Sequence, residues 1–163
     1  MEAVIDAKAD RPRTRKATLY RRNRRVLVNR VDMTTDGIPF STDEIHSFEA
    51  PFAEAELGRA LRMVIAGARS GLPPLQREDW ERLLQPLLRA AGVSSWRTFV
   101  RGCRDVSVFE DDGVIRFVPS VNLGPTEGFE GIAERETVIQ IADDPALGRQ
   151  AIQALDVAET RSK

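Results

Sequence analysis

The chain has 163 residues, 42% of them apolar and 30% charged, which suits one domain that buries a core without disulfides. A single cysteine, Cys103, excludes an internal disulfide, and one histidine beside it supports no metal cluster or metal cofactor. No apolar run approaches the ~18 residues of a membrane helix, and the polar start mixes acids with bases unlike a secretory signal, so a cytoplasmic protein is expected.

A net charge of −1 conceals an uneven distribution. Residues 1–30 hold ten Lys/Arg against Glu2, Asp6 and Asp10, a net of +7, and the remainder carries −8. That asymmetry suits a charged partner on one half or the other, or a solvated basic tail on an ordinary acidic domain.

Residues 1–15 lack apolar periodicity and read as a basic, mobile arm, with order expected to begin near Ala17. Val26-Leu27-Val28 is compact and β-branched, and Arg22-Asn23-Arg24 suits a turn, giving a hairpin of about 18–22 and 25–31 with its arginines on a wet face. Asp36-Gly37 marks another turn, and a strand is expected near Ile45–Ala50. Leu57, Leu61, Val64, Ile65 and Ala68 recur at helical spacing and predict a helix over 54–69, stopped by Ser70-Gly71. A second helix over 77–91 should bury Trp80, Leu83, Leu84, Leu87 and Leu88, with Pro86 kinking or splitting it near Gln85. Ser94 or Ser95 then caps a short helix burying Trp96, Phe99 and Val100, which Gly102 ends.

The clearest local signal follows. Val106–Glu110 and Val114–Val118 flank Asp112-Gly113, a two-residue type I′ turn. This register pairs Val108 with Phe117 and Glu110 with Ile115, and sets Val106, Val108, Ile115 and Phe117 on one core face. Residues 137–141 read as a further strand. Asp144-Pro145 serves as N-cap and first turn of a last helix over 145–158, buried through Leu147, Ala151, Leu155 and Ala158. The whole predicts a single α+β domain over 16–160, with a mostly antiparallel sheet of five or six strands and about four helices.

Leu57-Gly58-Arg59 and Leu147-Gly148-Arg149 echo one another, each near the start of a helix. Glycine inside a helix costs about 1 kcal/mol against alanine, so the pair points to close backbone contact between two helices. An anion cradled at a helix start would need a glycine-rich turn that neither segment has.

Catalytic constellations are missing. His46 lies beside Glu44 and Ser47 on a predicted strand, with no elbow-type serine to serve. Cys103 follows a helix C-terminus, where nothing lowers its pKa for attack. Asp111-Asp112 sits where the hairpin turn requires Asp-Gly. No enzyme and no cofactor are expected. Arginines over 11–30, with Tyr20 for stacking, leave open a small nucleic-acid-binding module, although the acidic body would repel phosphate.

Leu57-Gly58-Arg59-Ala60, Ser95-Trp96-Arg97-Thr98-Phe99-Val100, the Val106–Phe109 strand, and Asn122-Leu123-Gly124-Pro125 with Gly128-Phe129 resemble the immunity proteins of bacterial contact-dependent growth inhibition systems. The resemblance spans roughly residues 16–156. It implies a cytoplasmic, non-enzymatic protein that binds and neutralises the C-terminal toxin domain of a cognate exoprotein, commonly a nuclease. Toxin contacts vary within the family, so the resemblance assigns none here. Charge does suggest a face. A basic nuclease would be steered by acids, and the densest acidic stretch outside predicted helices is Glu110, Asp111, Asp112, Glu127, Glu130, Glu134 and Glu136.

Overall fold

The computed structural model describes residues 14–161. Its elements are β1 (Arg15–Arg22), β2 (Arg25–Met33), β3 (Pro39–Glu49), α1 (Glu54–Gly67), α2 (Arg77–Ala91), α3 (Trp96–Val100), β4 (Arg104–Asp111), β5 (Val114–Asn122), β6 (Phe129–Gly131), β7 (Thr137–Gln140), α4 (Asp144–Val157) and β8 (Glu159–Thr160). The sheet runs β3-β2-β1-β4-β5-β6, with β7 and β8 also on β5, and every pairing is antiparallel except β5 with β8. This is the α+β domain expected. Most of the expected arm, residues 1–13, lies outside the described residues, and strand pairing is already present at Arg15, opposite Glu110.

Local chemistry accounts for the β4–β5 hairpin. Asp112 and Gly113 hold φ of 52° and 79°, the left-handed pair that a type I′ turn needs. Val108 faces Phe117 and Glu110 faces Ile115, the register read from the sequence. Val106, Val108, Ile115 and Phe117 join Leu19, Val28, Leu57, Leu61, Leu147 and Leu155 in an aliphatic core between the sheet and the α1–α4 pair. Those two helices touch at their glycines. A Cβ on Gly58 would overlap the Asp144 carbonyl and fall 2.9 Å from the Gly148 nitrogen, and one on Gly148 would overlap the Glu54 carbonyl. Arg62 to Asp144 at 2.8 Å and Arg149 to Glu54 at 3.1 Å clip the pair at its rim.

Four expectations need correction. The β1–β2 hairpin has no wet face, because Tyr20 and Leu27 on its other side are buried under α2 and α3 in a second core with Leu87, Leu88, Phe99, Val100 and Cys103. Trp80 is 47% exposed: α2 buries Leu87, Leu88 and Ala91 in its last turns, while its first turns are largely exposed. Pro86 does not split α2, which is continuous from Arg77 to Ala91. The cap of α4 is Asp143, whose side chain accepts from the Ala146 N–H at 2.9 Å, so Asp144 is the first helical residue. Ser95 caps α3 as expected, accepting from the Thr98 N–H at 3.2 Å.

Candidate functional site

The seven acids of the expected partner face do not form one cluster. Glu110, Asp111 and Asp112 stand at the turn that opens β5, and Glu127 lies beyond its other end, where Leu123 donates to the Gly128 carbonyl. Eight residue steps of strand, ~26 Å, separate those ends. Glu130 faces Val121, and Glu136 adjoins Thr137, the partner of Phe117, so the acids form a strip along β5 and its outer neighbours. Part of this charge is used internally. Glu110 accepts from the Gly113 N–H at 3.2 Å, Asp111 from the Thr14 hydroxyl at 2.6 Å, and Glu136 pairs with Arg116 at 3.3 Å. Asp112, Glu127, Glu130 and Glu134 are exposed, with no ion pair among the described residues. Between them β7 and the turn after it present Val138 and Ile141, 58% and 46% exposed. The two point to opposite sides of the sheet: Val138, opposite Arg116, faces away from the α1–α4 core, while Ile141 lines a small cavity with Ile65, Ile115 and Leu147 on the core side.

The basic charge also lies elsewhere than the arm. Residues 1–13 balance three basic against three acidic side chains, so the whole excess of residues 1–30 sits on β1, β2 and the turn between them. There it satisfies carbonyls that helix ends leave unpaired. Arg25 donates to the Ala90 carbonyl of α2 at 3.0 Å and Arg22 to the Thr98 carbonyl of α3 at 3.1 Å. Arg21 pairs with Asp156, and Arg104 donates to the Leu155 and Asp156 carbonyls of α4 at 3.3 and 2.9 Å. Tyr20, the stacking residue of a nucleic-acid reading, is 7% exposed and packs edge-on against Phe99.

The remaining chemistry-bearing groups are interior. Asp105, 7% exposed, accepts from the Ser120 hydroxyl at 2.6 Å, and burial pushes its carboxyl up to about 6 against the opposing effects of that bond and of Lys16. Burial also lowers Lys16, whose ammonium lies 5.2 Å from the Phe109 ring centre. The Cys103 thiol is raised far above its ordinary value by burial and then by Asp105, which leaves an inert thiol. The His46 Nε2 stands 3.8 Å from a Glu44 oxygen, and the atom itself is buried without a hydrogen bond. Among the described residues no group of His, Cys, Asp and Glu is placed to hold a metal ion, and no helix is long and apolar enough to cross a membrane.

The architecture is a six-strand antiparallel path with two helix pairs on opposite faces, and solved structures share it. One is a protein of unknown function from Neisseria meningitidis, with a TM-score of 0.77 at 13% identity over 92% of this chain and 98% of that one. Another is a chain of the CdiA-CT/CdiI toxin and immunity complex from Yersinia pseudotuberculosis, with a TM-score of 0.77 at 11% identity over 92% of this chain and 100% of that one. No family model and no curated protein sequence matches the chain.

Proposed function

We propose that this protein is an immunity protein of the contact-dependent growth inhibition type, which binds the C-terminal toxin domain of a cognate exoprotein and neutralises it without turnover. The observation that carries the reading is the full-length fold shared with a chain of a toxin and immunity complex. It joins the motif resemblance over residues 16–156 and an interior in which the single histidine and the single cysteine lack catalytic partners. The toxin is a basic nuclease and the protein acts in the cytoplasm. Contact is made along the β5 strip, with Glu110, Asp111, Asp112, Glu127, Glu130, Glu134 and Glu136 around Val138. Acids there raise the association rate and mimic phosphate, while the exposed Val138 supplies apolar area that leaves water.

Co-expression with the toxin domain encoded beside this gene tests the proposal. Cells should survive, and the two purified chains should co-elute. Changing Asp112, Glu127, Glu130 and Glu134 to lysine should slow association, most at low salt. A toxin domain that kills equally with and without this protein would overturn the immunity reading. Unchanged association after the four reversals would move the contact face elsewhere.

A further inference from the structure

Nine arginines between residues 14 and 161 pair with carboxylates, and Arg22, Arg24 and Arg104 bond to main-chain carbonyls. Three others converge. Arg97, Arg101 and Arg161 line one cavity of about 220 Å³ together with Val100, Gly102, Asn122, Gly124, Pro125 and Thr160. Among the described residues no carboxylate lies in its wall and none of the three arginines has an ion pair. Two of them border α3: Arg97 lies in its first turn and Arg101 is the extended residue that follows it, both exposed beside the buried Phe99 and Val100. The third is placed by the main chain, since the Arg161 N–H donates to the Asn122 carbonyl at 3.0 Å just after β8 pairs with β5.

The side chain of Asn122 ties the floor of the cavity together. The Asn122 amide donates to the Val100 and Cys103 carbonyls at 2.6 and 2.9 Å, and its oxygen accepts from the Gly124 N–H at 2.9 Å. The end of α3, which would otherwise repel an anion, is thus partly neutralised from inside. Gly124 holds a φ of 103°, which keeps the loop close under the cavity without a side chain to fill it.

We propose that the Arg97–Arg101–Arg161 cavity binds a phosphate group, free or carried as a monoester on a small molecule. Three guanidiniums present forked donors that match tetrahedral oxyanions, and a dianion balances their charge better than a single carboxylate. The cavity is smaller than the ~300 Å³ at which drug-sized ligand pockets begin, so it admits the phosphate and leaves the rest of a ligand outside. This site is independent of the toxin-binding reading, and its test contains no toxin.

Calorimetric titration of the full chain at fixed ionic strength, with inorganic phosphate and separately with glycerol phosphate, tests it. Saturable one-site binding is expected, weakened about tenfold or more by Arg101→Gln or Arg161→Gln and abolished by the double change. Arg59→Gln, at an exposed position on α1, should bind as the parent does. Binding of glycerol phosphate but not of free phosphate, lost in the double variant, supports a site for organic monoesters. Binding of both supports a site for which the phosphate alone suffices. Absence of saturable binding, equal binding by the double variant, or acetate binding as tightly as phosphate would overturn the proposal. Because all three arginines are exposed, melting curves of the variants should match the parent, and a variant that melts early is replaced by Arg97→Gln.

Discussion

The two faces of the sheet are built on opposite principles. Under α1 and α4 the core is mainly aliphatic, with Phe117 as its fully buried ring, and the helices approach until backbone meets backbone at Gly58 and Gly148. Under α2 and α3 it is aromatic, with Tyr20, Trp96, Phe99 and Phe129 in edge and stacked contacts, and it encloses polar groups that need partners: Asp105 with Ser120, Asn122 with two carbonyls. The first face tolerates almost no added volume, because the atoms that would have to move are main chain. The second has softer side-chain neighbours and a titratable interior, and it leads to the loops that frame the arginine cavity. Rigidity and chemistry are thus divided between the faces.

The largest test strikes the aliphatic face. Gly58→Ala with Gly148→Ala should cost roughly 5 kcal/mol or more, since each methyl overlaps a carbonyl and overpacking alone runs at ~1–3 kcal/mol per site. Against a typical total of about 5–15 kcal/mol this approaches unfolding, and a urea melt that barely moves would break the contrast. Phe99→Ala, at the centre of the aromatic face and fully buried, should cost roughly 3–5 kcal/mol in the same assay.

Acid titration gives the next effect and belongs to the aromatic face alone. Asp105 holds its proton up to about pH 6 in the folded protein, against an ordinary 3.8. The native state therefore keeps a proton that the unfolded chain releases, so this advantage is complete below pH 3.8 and is lost as pH rises through 6. Relative to Asp105→Asn, whose amide oxygen still accepts from Ser120, the parent should lose roughly 3 kcal/mol between those limits. Parallel stability–pH curves for the two proteins would refute it. The smallest effect is Trp80→Ala: its indole is half exposed on the free part of α2, and the melt should shift by no more than about 0.5 kcal/mol.

Local signals carried the sequence reading far on one face and less far on the other. The type I′ turn at Asp112-Gly113, the helical spacing of Leu57 to Ile65 and the glycine echo each involve residues close in sequence, and each returns in the structure with its register or contact intact. The second core was harder to read. The hairpin's arginines suggested a wet face, although Thr18, Tyr20 and Asn29 on the strands' other side are all buried. The arginines of β1 and β2 were visible as charge but not as caps, since the carbonyls that engage them lie 65 to 134 residues away. The phosphate cavity follows the same rule. Arg97 and Arg101 are close in sequence and flank the short α3, but Arg161 joins them only through β8.

The glycine contact also bears on time. Ion pairs between the α1 and α4 regions join residues 82 to 95 positions apart, so closure of a loop about half the chain long must precede them. The β1–β2 and β4–β5 hairpins, closed by short turns, can form without that closure, whereas the β1–β4 pairing that joins them spans a similar distance and needs it too. Interactions made after the rate-limiting barrier scarcely change how fast a chain folds, but they govern how fast it comes apart. If the Gly58–Gly148 seam closes after that barrier, it is a brake on unfolding that sets how long each folded molecule lasts before it opens to a protease, and Gly58→Ala should then speed unfolding while leaving the folding rate unchanged.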